Sequence, residues 1–407
     1  MALPLSFKNY HILKYYCRGI FMIGNGNFWY EDDVIGDDRS LIYRACGGFL
    51  FFIYVFMTIM EIMAAVMADF PVDEKRDSVS FAVSHTIVMI KIFSIIANKS
   101  LIKTLNYKMV HVCQRYEERQ LMSEKYRIMK INVVSYFVTV YGSCAFFVFE
   151  GLRKLYLFSG SHFVTVVTYY PSFEDDSPLA TFVRVFNTIV LFIMMLTMIV
   201  SVDSFTMVYI IMYKYKFITL KHYFENLKAE VEQMHRDGRE NLAAETLANG
   251  LVEGIEMHSK ILKLSKEIDK AFGTVIALQL CQSSGSAVSI LLQIALSNDL
   301  TFAAAGKLIF FVVALFFLLG LFLCNAGEIS YQAALVSDSI FYCGWQLCPP
   351  KLNNRRNIRQ LVLLAMMQAQ KPLVMKAFKM LELTYGTFLL VLRGTYSVFA
   401  LFYAQNK

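Results

Sequence analysis

Charged side chains inside long apolar stretches are the residues of this sequence best placed to do chemistry. Glu61, Lys91, Arg184 and Asp203 each lie within or at the end of such a stretch, and Arg393 lies within the last one. An unpaired charge in hydrocarbon costs from about 2.5 kcal/mol upwards. We therefore expect the first four to pair between helices or to reach the lipid headgroups, in preference to binding a ligand or an ion directly.

Motifs of catalysis and metal binding are absent from the sequence. It contains no GxxxxGK[ST], GxSxG, HExxH or CxxC, and its seven histidines are scattered without the spacing of metal ligands. Cys343 and Cys348 lie near Trp345, where packing is a better explanation than metal binding. We expect no enzyme activity, no catalytic residue, no metal and no cofactor.

Composition indicates a membrane protein. Apolar residues make up 57% of the 407 residues and charged residues 17%, against about 25% charged in soluble proteins. A helix crosses the hydrocarbon core with about 20 mostly apolar residues. The sequence predicts an all-α protein with seven transmembrane helices, at 45–67, 78–97, 133–149, 180–210, 272–297, 308–327 and 383–404.

The distribution of basic residues predicts the orientation of these helices. With the amino terminus in the cytoplasm, cytoplasmic segments hold 30 of the 39 Lys and Arg residues and external segments hold 6, as the positive-inside rule requires. The carboxyl terminus is then extracellular, and Asn98 in the N-x-S/T site is not glycosylated. The net charge of +7 reflects this bias with some attraction to anionic membrane lipid, and no nucleic-acid partner is expected.

The long cytoplasmic segments predict an intracellular helical assembly. Residues 1–44 form an amino-terminal segment, 45–327 carry helices 1–6, and 211–271 show amphipathic spacing. We interpret 211–271 as extensions of helices 4 and 5, although a solvated helical loop is the alternative. Residues 328–382 are predicted to form an intracellular anchor segment, with a helix at 355–370 that ends before Pro372. Residues 383–407 carry the last helix.

The last third of the chain resembles the insect odorant receptor family. The matching features are Cys324 with the Gly327 and Glu328 pair, the Ser337, Tyr342 and Trp345 run, the sequence QKP at 370–372, and a final helix of the form TFLxVLRxxYSxFxLF. Helix 5 is most similar to receptors of moths and butterflies. The chain and its second inner loop are too short to resemble the co-receptor of the family, so the resemblance implies a ligand-tuning subunit.

This resemblance implies an odorant-gated, non-selective cation channel in the cell membrane of sensory neuron dendrites. The tuning subunit would form a heterotetramer with the odorant receptor co-receptor and would bind a small, volatile, apolar ligand in the outer half of the helix bundle. The resemblance places the ligand-binding side chains on the outer halves of helices 2, 3, 4 and 6: Phe81, Ser84, His85, Val88, Phe146, Phe149, Phe186, Val190, Phe310 and Phe311. Ordinary helix packing explains the aromatic members equally well.

The last helix has a polar face that suits a pore. At about 100° per residue, one face about 120° wide carries mainly small and polar residues, namely Gly386, Leu390, Arg393, Gly394, Ser397, Leu401, Ala404 and Gln405. A small-residue packing face is the alternative. The resemblance places the gate near Leu401 and Gln405, although Gln405 departs from the apolar residue of the co-receptor. Arg393, roughly 18 Å inward, is expected to turn to an interhelical acceptor or to the inner vestibule.

Two other classes of membrane protein compete with this interpretation. A seven-helix receptor coupled to G proteins predicts an external amino terminus, a cysteine bridge at helix 3 and an NPxxY-like stretch in helix 7. The charge distribution opposes the first feature, and the sequence lacks the other two. A membrane transporter is less favoured because the sequence shows no internal repeat and no matched pair of broken helices.

Overall fold

The chain folds into a bundle of long helices. A computed structural model describes residues 8–157, 162–296, 302–347, 358–378 and 380–405. Seven helical segments in these ranges are long and apolar enough to cross a membrane, which confirms the predicted number of spans. Each of the seven stretches chosen from the sequence overlaps one of these segments, and residue 297 of the fifth stretch lies outside the described residues.

The helices are long because the apolar stretches continue into amphipathic ones without an internal Pro. Three of them exceed 38 residues. In chain order the elements are α1 Asn9–Met22, α2 Leu41–Met67, α3 Val72–Ala97, α4 Lys99–His111, α5 Arg119–Leu157, α6 Pro178–Met198, the π-helical turn Ile199–Asp203, α7 Ser204–Arg236, α8 Glu240–Leu296, α9 Phe302–Phe341, α10 Ile358–Ala369, β1 Lys376–Ala377, β2 Leu381–Glu382 and α11 Tyr385–Gln405.

Helix α7 is the centre of the fold. It packs along α8 and α9 and contacts α5, and every residue from Ser204 to Phe217 is buried. A helix that is apolar on all sides is stable only when neighbours surround it. Helix α7 directly follows α6 through the π-helical turn, so the three elements form one continuous helical segment.

Small residues allow the antiparallel pair α7 and α8 to approach closely. Gly250 and Gly254 lie one turn apart on α8, and a Cβ atom at either position would collide with Leu227 or Phe224 of α7. Both of these α7 side chains belong to the main hydrophobic core. The pair therefore forms a packed hairpin beyond the apolar stretches, and most of residues 211–271 lie in these two helices.

The amino-terminal segment is folded onto the bundle. Helix α1 contacts α4 and the π-helical turn, a role that the sequence interpretation of residues 1–44 missed. The acidic loop that follows is fixed by ion pairs, because Asp38 pairs with Lys99 of α4 and Asp32 lies 2.5 Å from Lys103. These ion pairs hold the loop against α4.

The anchor segment packs on the central helices. Helix α9 continues to Phe341, and α10 packs on α9 and α8. Helix α10 ends at Ala369, three residues before Pro372, while positions 355–357 of the predicted helix lie outside the described residues. The two-residue strands β1 and β2, which the sequence did not predict, pair in antiparallel register and lead into α11.

Helix α11 lies at the surface of the chain. Only Val391 and Thr395 of its 21 residues are buried. It rests on α8 and α9, and Tyr385 at its start donates a hydrogen bond of 2.6 Å to Glu328 of α9. Most of its other residues are exposed in the single chain.

Candidate functional site

A cavity of about 80 Å³ lies between α3, α5, α6, α8 and α9. This volume is several times what one water molecule needs. Apolar surface dominates its walls, and polar groups are few, which is the usual composition of a small-molecule site. The lining residues are Asp77, Ser80, Phe81, Ser84, His85, Tyr136, Val140, Ser143, Cys144, Phe147, Leu191, Met195, Met198, Gln279, Gln282, Ile290, Leu308, Phe311, Ala314, Leu315 and Leu318.

One face of α3 supplies much of the polar lining. Phe81, Ser84 and His85 are three and four residues apart and therefore share a helix face. The hydroxyls of Ser84 and Ser286 lie 3.4 Å apart and tie this face to α8. Phe81 also stacks edgewise on Phe147 of α5, with ring centroids 5.0 Å apart.

His85 is held by a buried carboxylate. Its Nδ1 lies 2.6 Å from Oε2 and 2.8 Å from Oε1 of Glu61 on α2, and the side chains of both residues are at most 1% exposed. The expectation that Glu61 pairs between helices is confirmed. This contact orients the imidazole, whose other edge lines the cavity.

A second charged pair lies at the deep end of the cavity. Lys91 Nζ is 3.7 Å from Oδ1 of Asp203 in the π-helical turn, and both side chains are fully buried. Tyr136 donates a 2.6 Å hydrogen bond to the other oxygen of Asp203. Lys91 also donates to the side-chain oxygens of Gln279 and, over 3.1 Å, Gln282. These contacts confirm the expected pairing of Lys91 and Asp203 and stabilise otherwise costly buried charges.

A third pair lies where α3 and α9 begin, at the other end of the cavity. Lys307 Nζ is 3.0 Å from Asp77 and lies 4.5 Å from the centroid of the Phe147 ring. Gln293 Nε2 donates to the second oxygen of Asp77 over 3.4 Å. This group ties α3, α8 and α9 together beside the cavity.

The remaining charged residue singled out in the sequence, Arg184, also has partners. Its guanidinium donates to the backbone carbonyls of Ser172 and Phe173 over 2.9 and 3.3 Å. Arg184 therefore fixes the segment before α6, away from the cavity lining. Glu61, Lys91 and Asp203 thus pair between elements of the bundle, as expected, whereas Arg184 bonds to the backbone.

The structure brings four of the ten proposed ligand-binding residues to the cavity. These are Phe81, Ser84, His85 and Phe311. Val88 and Val190 are buried in the main core, outside the lining. Four others lie on the exposed surface of the chain, namely Phe146, Phe149, Phe186 and Phe310. A ligand-binding role for any of the ten stays a prediction.

Three of the six residues that do not line the cavity are one position away from a residue that does. Phe147, Leu191 and Phe311 line the cavity, while their neighbours Phe146, Val190 and Phe310 do not. One residue rotates a helix position by about 100°. Apolar helices carry no polar face that marks the side towards neighbouring helices. The sequence therefore did not determine how each helix is rotated about its own axis.

Residues of α8 were missed, although their pattern was visible. Gln279, Gln282 and Ser286 recur at three- and four-residue spacing in a span without charge. Two of them line the cavity, and the third bonds to the lining residue Ser84. Such a polar stripe in a membrane helix faces the protein interior, so the stripe could have located this wall.

A second candidate site is the polar face of α11. Arg393, Ser397, Leu401 and Gln405 are all exposed in the single chain. The hydroxyl of Ser397 donates to the carbonyl oxygen of Arg393 over 3.0 Å. The described part of the chain contains no ion-pair partner for Arg393, and its placement towards an interhelical acceptor or the inner vestibule stays a prediction.

Reactive and metal-binding groups are not assembled in the described ranges. No three His, Cys, Asp or Glu side chains within them cluster to hold a metal ion. Burial raises the pKa of the Cys113 thiol, beside α4, to about 11, so this thiol stays protonated at neutral pH.

Comparison with known proteins decides the family. The family model described as 7tm Odorant receptor matches residues 72–396, a range that contains every cavity residue and most of α11. The chain belongs to the odorant receptor family. This membership agrees with the resemblance of the last third and with a receptor rather than an enzyme. No curated protein sequence matches the chain significantly.

Solved structures show that this odorant receptor shares its fold with an insect olfactory receptor. It is similar to OR5 from Machilis hrabei in complex with eugenol, with a TM-score of 0.74 and 12% identity over 98% of this chain and 100% of that chain. The ligand-free OR5 structure gives a TM-score of 0.73 and 12% identity over 97% and 99%. At this identity the likeness concerns the fold alone.

Proposed function

We propose that this odorant receptor is the ligand-tuning subunit of an odorant-gated, non-selective cation channel that assembles with the odorant receptor co-receptor. The observation that carries this proposal is the exposed polar face of α11. Only Val391 and Thr395, on the other side of this helix, are buried. A membrane helix with an exposed arginine, serine and glutamine needs water or further subunits beside it. A pore between subunits supplies both.

The cavity is the proposed odorant site. Burial of apolar ligand surface contributes about 25 cal/mol per Å², and the lining offers aromatic, aliphatic and a few polar groups for a small volatile ligand. The related OR5 was solved with eugenol, a small aromatic compound, which supports a similar size class here. In this proposal, Phe81, Ser84, His85 and Phe311 contact the ligand.

The proposed orientation places the amino terminus in the cytoplasm and the end of α11 outside the cell. The excess of Lys and Arg in the segments on one side supports it. The α7 and α8 extensions and residues 328–382 then form the intracellular anchor of the heterotetramer, and the receptor resides in the plasma membrane of sensory dendrites.

Patch-clamp recording with and without the co-receptor tests the function. Cells that express both chains should give odorant-evoked cation current in excised patches without nucleotides, while the co-receptor alone should not respond to the same odorants. A response that appears only in intact cells and vanishes on blocking G-protein signalling would contradict the channel proposal and favour a G-protein-coupled receptor.

A further inference from the structure

His85 presents a defined edge to the cavity. Glu61 contacts only Nδ1 of the imidazole, and the Phe81 ring stacks on its face with centroids 5.6 Å apart and planes inclined by 23°. Contacts on one nitrogen and one face fix the orientation of the ring. No residue in the described ranges forms a hydrogen bond with Nε2, so this atom is left to a ligand.

The protonation of the pair decides what Nε2 offers. If His85 is protonated and Glu61 ionised, both ring nitrogens carry a proton. If both residues are neutral, the hydroxyl of Glu61 finds its acceptor in Nδ1 only when the imidazole proton is on Nε2, because the other tautomer leaves that hydroxyl buried without an acceptor in the described part of the chain. Among the states that satisfy both groups, only a neutral histidine beside an ionised glutamate leaves Nε2 without a proton, and that state carries a net negative charge.

The surroundings disfavour that net charge. The other charged side chains at the cavity are already matched, Asp77 with Lys307 and Asp203 with Lys91. No spare cation in the described part of the chain lies against Glu61, whose side chain is fully buried. A buried, uncompensated carboxylate is strongly unfavourable. Both remaining states of the pair place a proton on Nε2.

We propose that His85 is a specificity-determining residue that donates a hydrogen bond from Nε2 to the ligand. The receptor then selects volatile compounds that carry an oxygen acceptor, such as esters, ketones, aldehydes and ethers. Glu61 is the positioning residue that holds the proton on the correct nitrogen. This inference rests on the proposed function, because it takes the cavity as the odorant site.

With the groups around His85, a ligand needs only one hydrogen-bond acceptor to bind. Phe81, Phe147 and Phe311 contribute the apolar walls around His85. The hydroxyls of Ser84 and Ser286 lie 3.4 Å apart. An alcohol can therefore bind as well, because its hydroxyl can accept a hydrogen bond from His85 and donate one to a serine. An acceptor is therefore required of the ligand, while a donor is optional.

Dose–response recordings with matched compounds test the inference. The probes are straight-chain alkanes, alcohols, methyl ketones, acetates and methyl ethers over several chain lengths, applied to the receptor with its co-receptor. At equal length, ketones, acetates and ethers should be roughly ten-fold more potent than alkanes, as for one buried hydrogen bond. Alcohols that act while ketones and ethers fail would overturn it, as would equal potency of alkanes.

Variants separate recognition from folding. His85→Phe together with Glu61→Leu removes both partners, which leaves no unpaired buried charge; the ten-fold preference should vanish, so that alkanes and acceptor compounds of equal length become equally potent. Ile95→Ala, at a buried position of the same helix outside the lining, is the matched control and should keep the preference. Surface labelling confirms that each variant reaches the membrane.

The outcomes distinguish the two proposals. Current that persists with an unchanged acceptor preference in the double variant would overturn the role of His85 and leave the channel function intact. The absence of current with every class of compound would overturn the proposed function and this inference with it.

Discussion

Helices α7 and α11 have opposite surroundings. Every residue from Ser204 to Phe217 of α7 is buried, whereas α11 buries two residues in its whole length. The difference shows that α7 holds this chain together, while α11 is arranged for contacts that one chain does not provide. Changes in α7 should therefore affect folding, and changes in α11 should affect conduction.

The largest effect on stability is expected for the pair of Lys91 and Asp203, which lies next to α7. Lys91→Met leaves Asp203 buried without its cation, which should destabilise the fold by about 3–5 kcal/mol and reduce the amount of receptor at the cell surface. Thermal unfolding of purified receptor in detergent measures the change.

A compensating variant checks the physical reason. Lys91→Met with Asp203→Asn removes both charges and keeps an acceptor for Tyr136, so much of the lost stability should return. If the double variant is as unstable as the single one, side-chain packing rather than the buried charge controls this region.

Matched leucines compare the two helices directly. Leu220 of α7 is fully buried, and Leu390 of α11 is 70% exposed. Leu220→Ala should cost about 2–5 kcal/mol because it leaves a cavity, and Leu390→Ala should change stability by less than about 0.5 kcal/mol. Similar melting temperatures for the two variants would remove the contrast between the helices.

Substitution of Arg393 tests whether this residue of the polar face of α11 contacts the permeating ions. Its expected effect on stability is smaller. Arg393→Ala should change stability by less than about 0.5 kcal/mol, since the side chain is exposed. With Arg393 directed to the inner vestibule, reversal potentials under bi-ionic conditions should stay the same. A shift in the relative permeability of cations would show that Arg393 faces the conduction path instead.

Much of the fold could be predicted from the sequence, because length and hydropathy identify membrane helices. All seven spans and the extensions of α7 and α8 followed from such patterns. The fold of residues 1–44 did not, because α1 is short and depends on tertiary contacts with α4 and the π-helical turn. Short helices gain most of their stability from such packing.

The candidate site was less accessible to sequence reasoning. His85 could be placed because Glu61 and His85 are polar residues in apolar helices and such groups turn inward. The aromatic residues carried no such marker, so Phe146 was chosen where Phe147 lines the cavity. The π-helical turn that positions Asp203 changes the rotation of the chain between α6 and α7, and uniform helical spacing does not include it.

Cysteine accessibility in the open channel tests most directly whether α11 lines a pore. Ser397→Cys places a thiol on the exposed polar face, and Thr395→Cys places one on the buried side of the same helix. A positively charged methanethiosulfonate reagent applied during odorant-evoked current should irreversibly block the Ser397 variant and spare both the Thr395 variant and the unmodified receptor. Block at Thr395 with none at Ser397 would contradict the pore assignment.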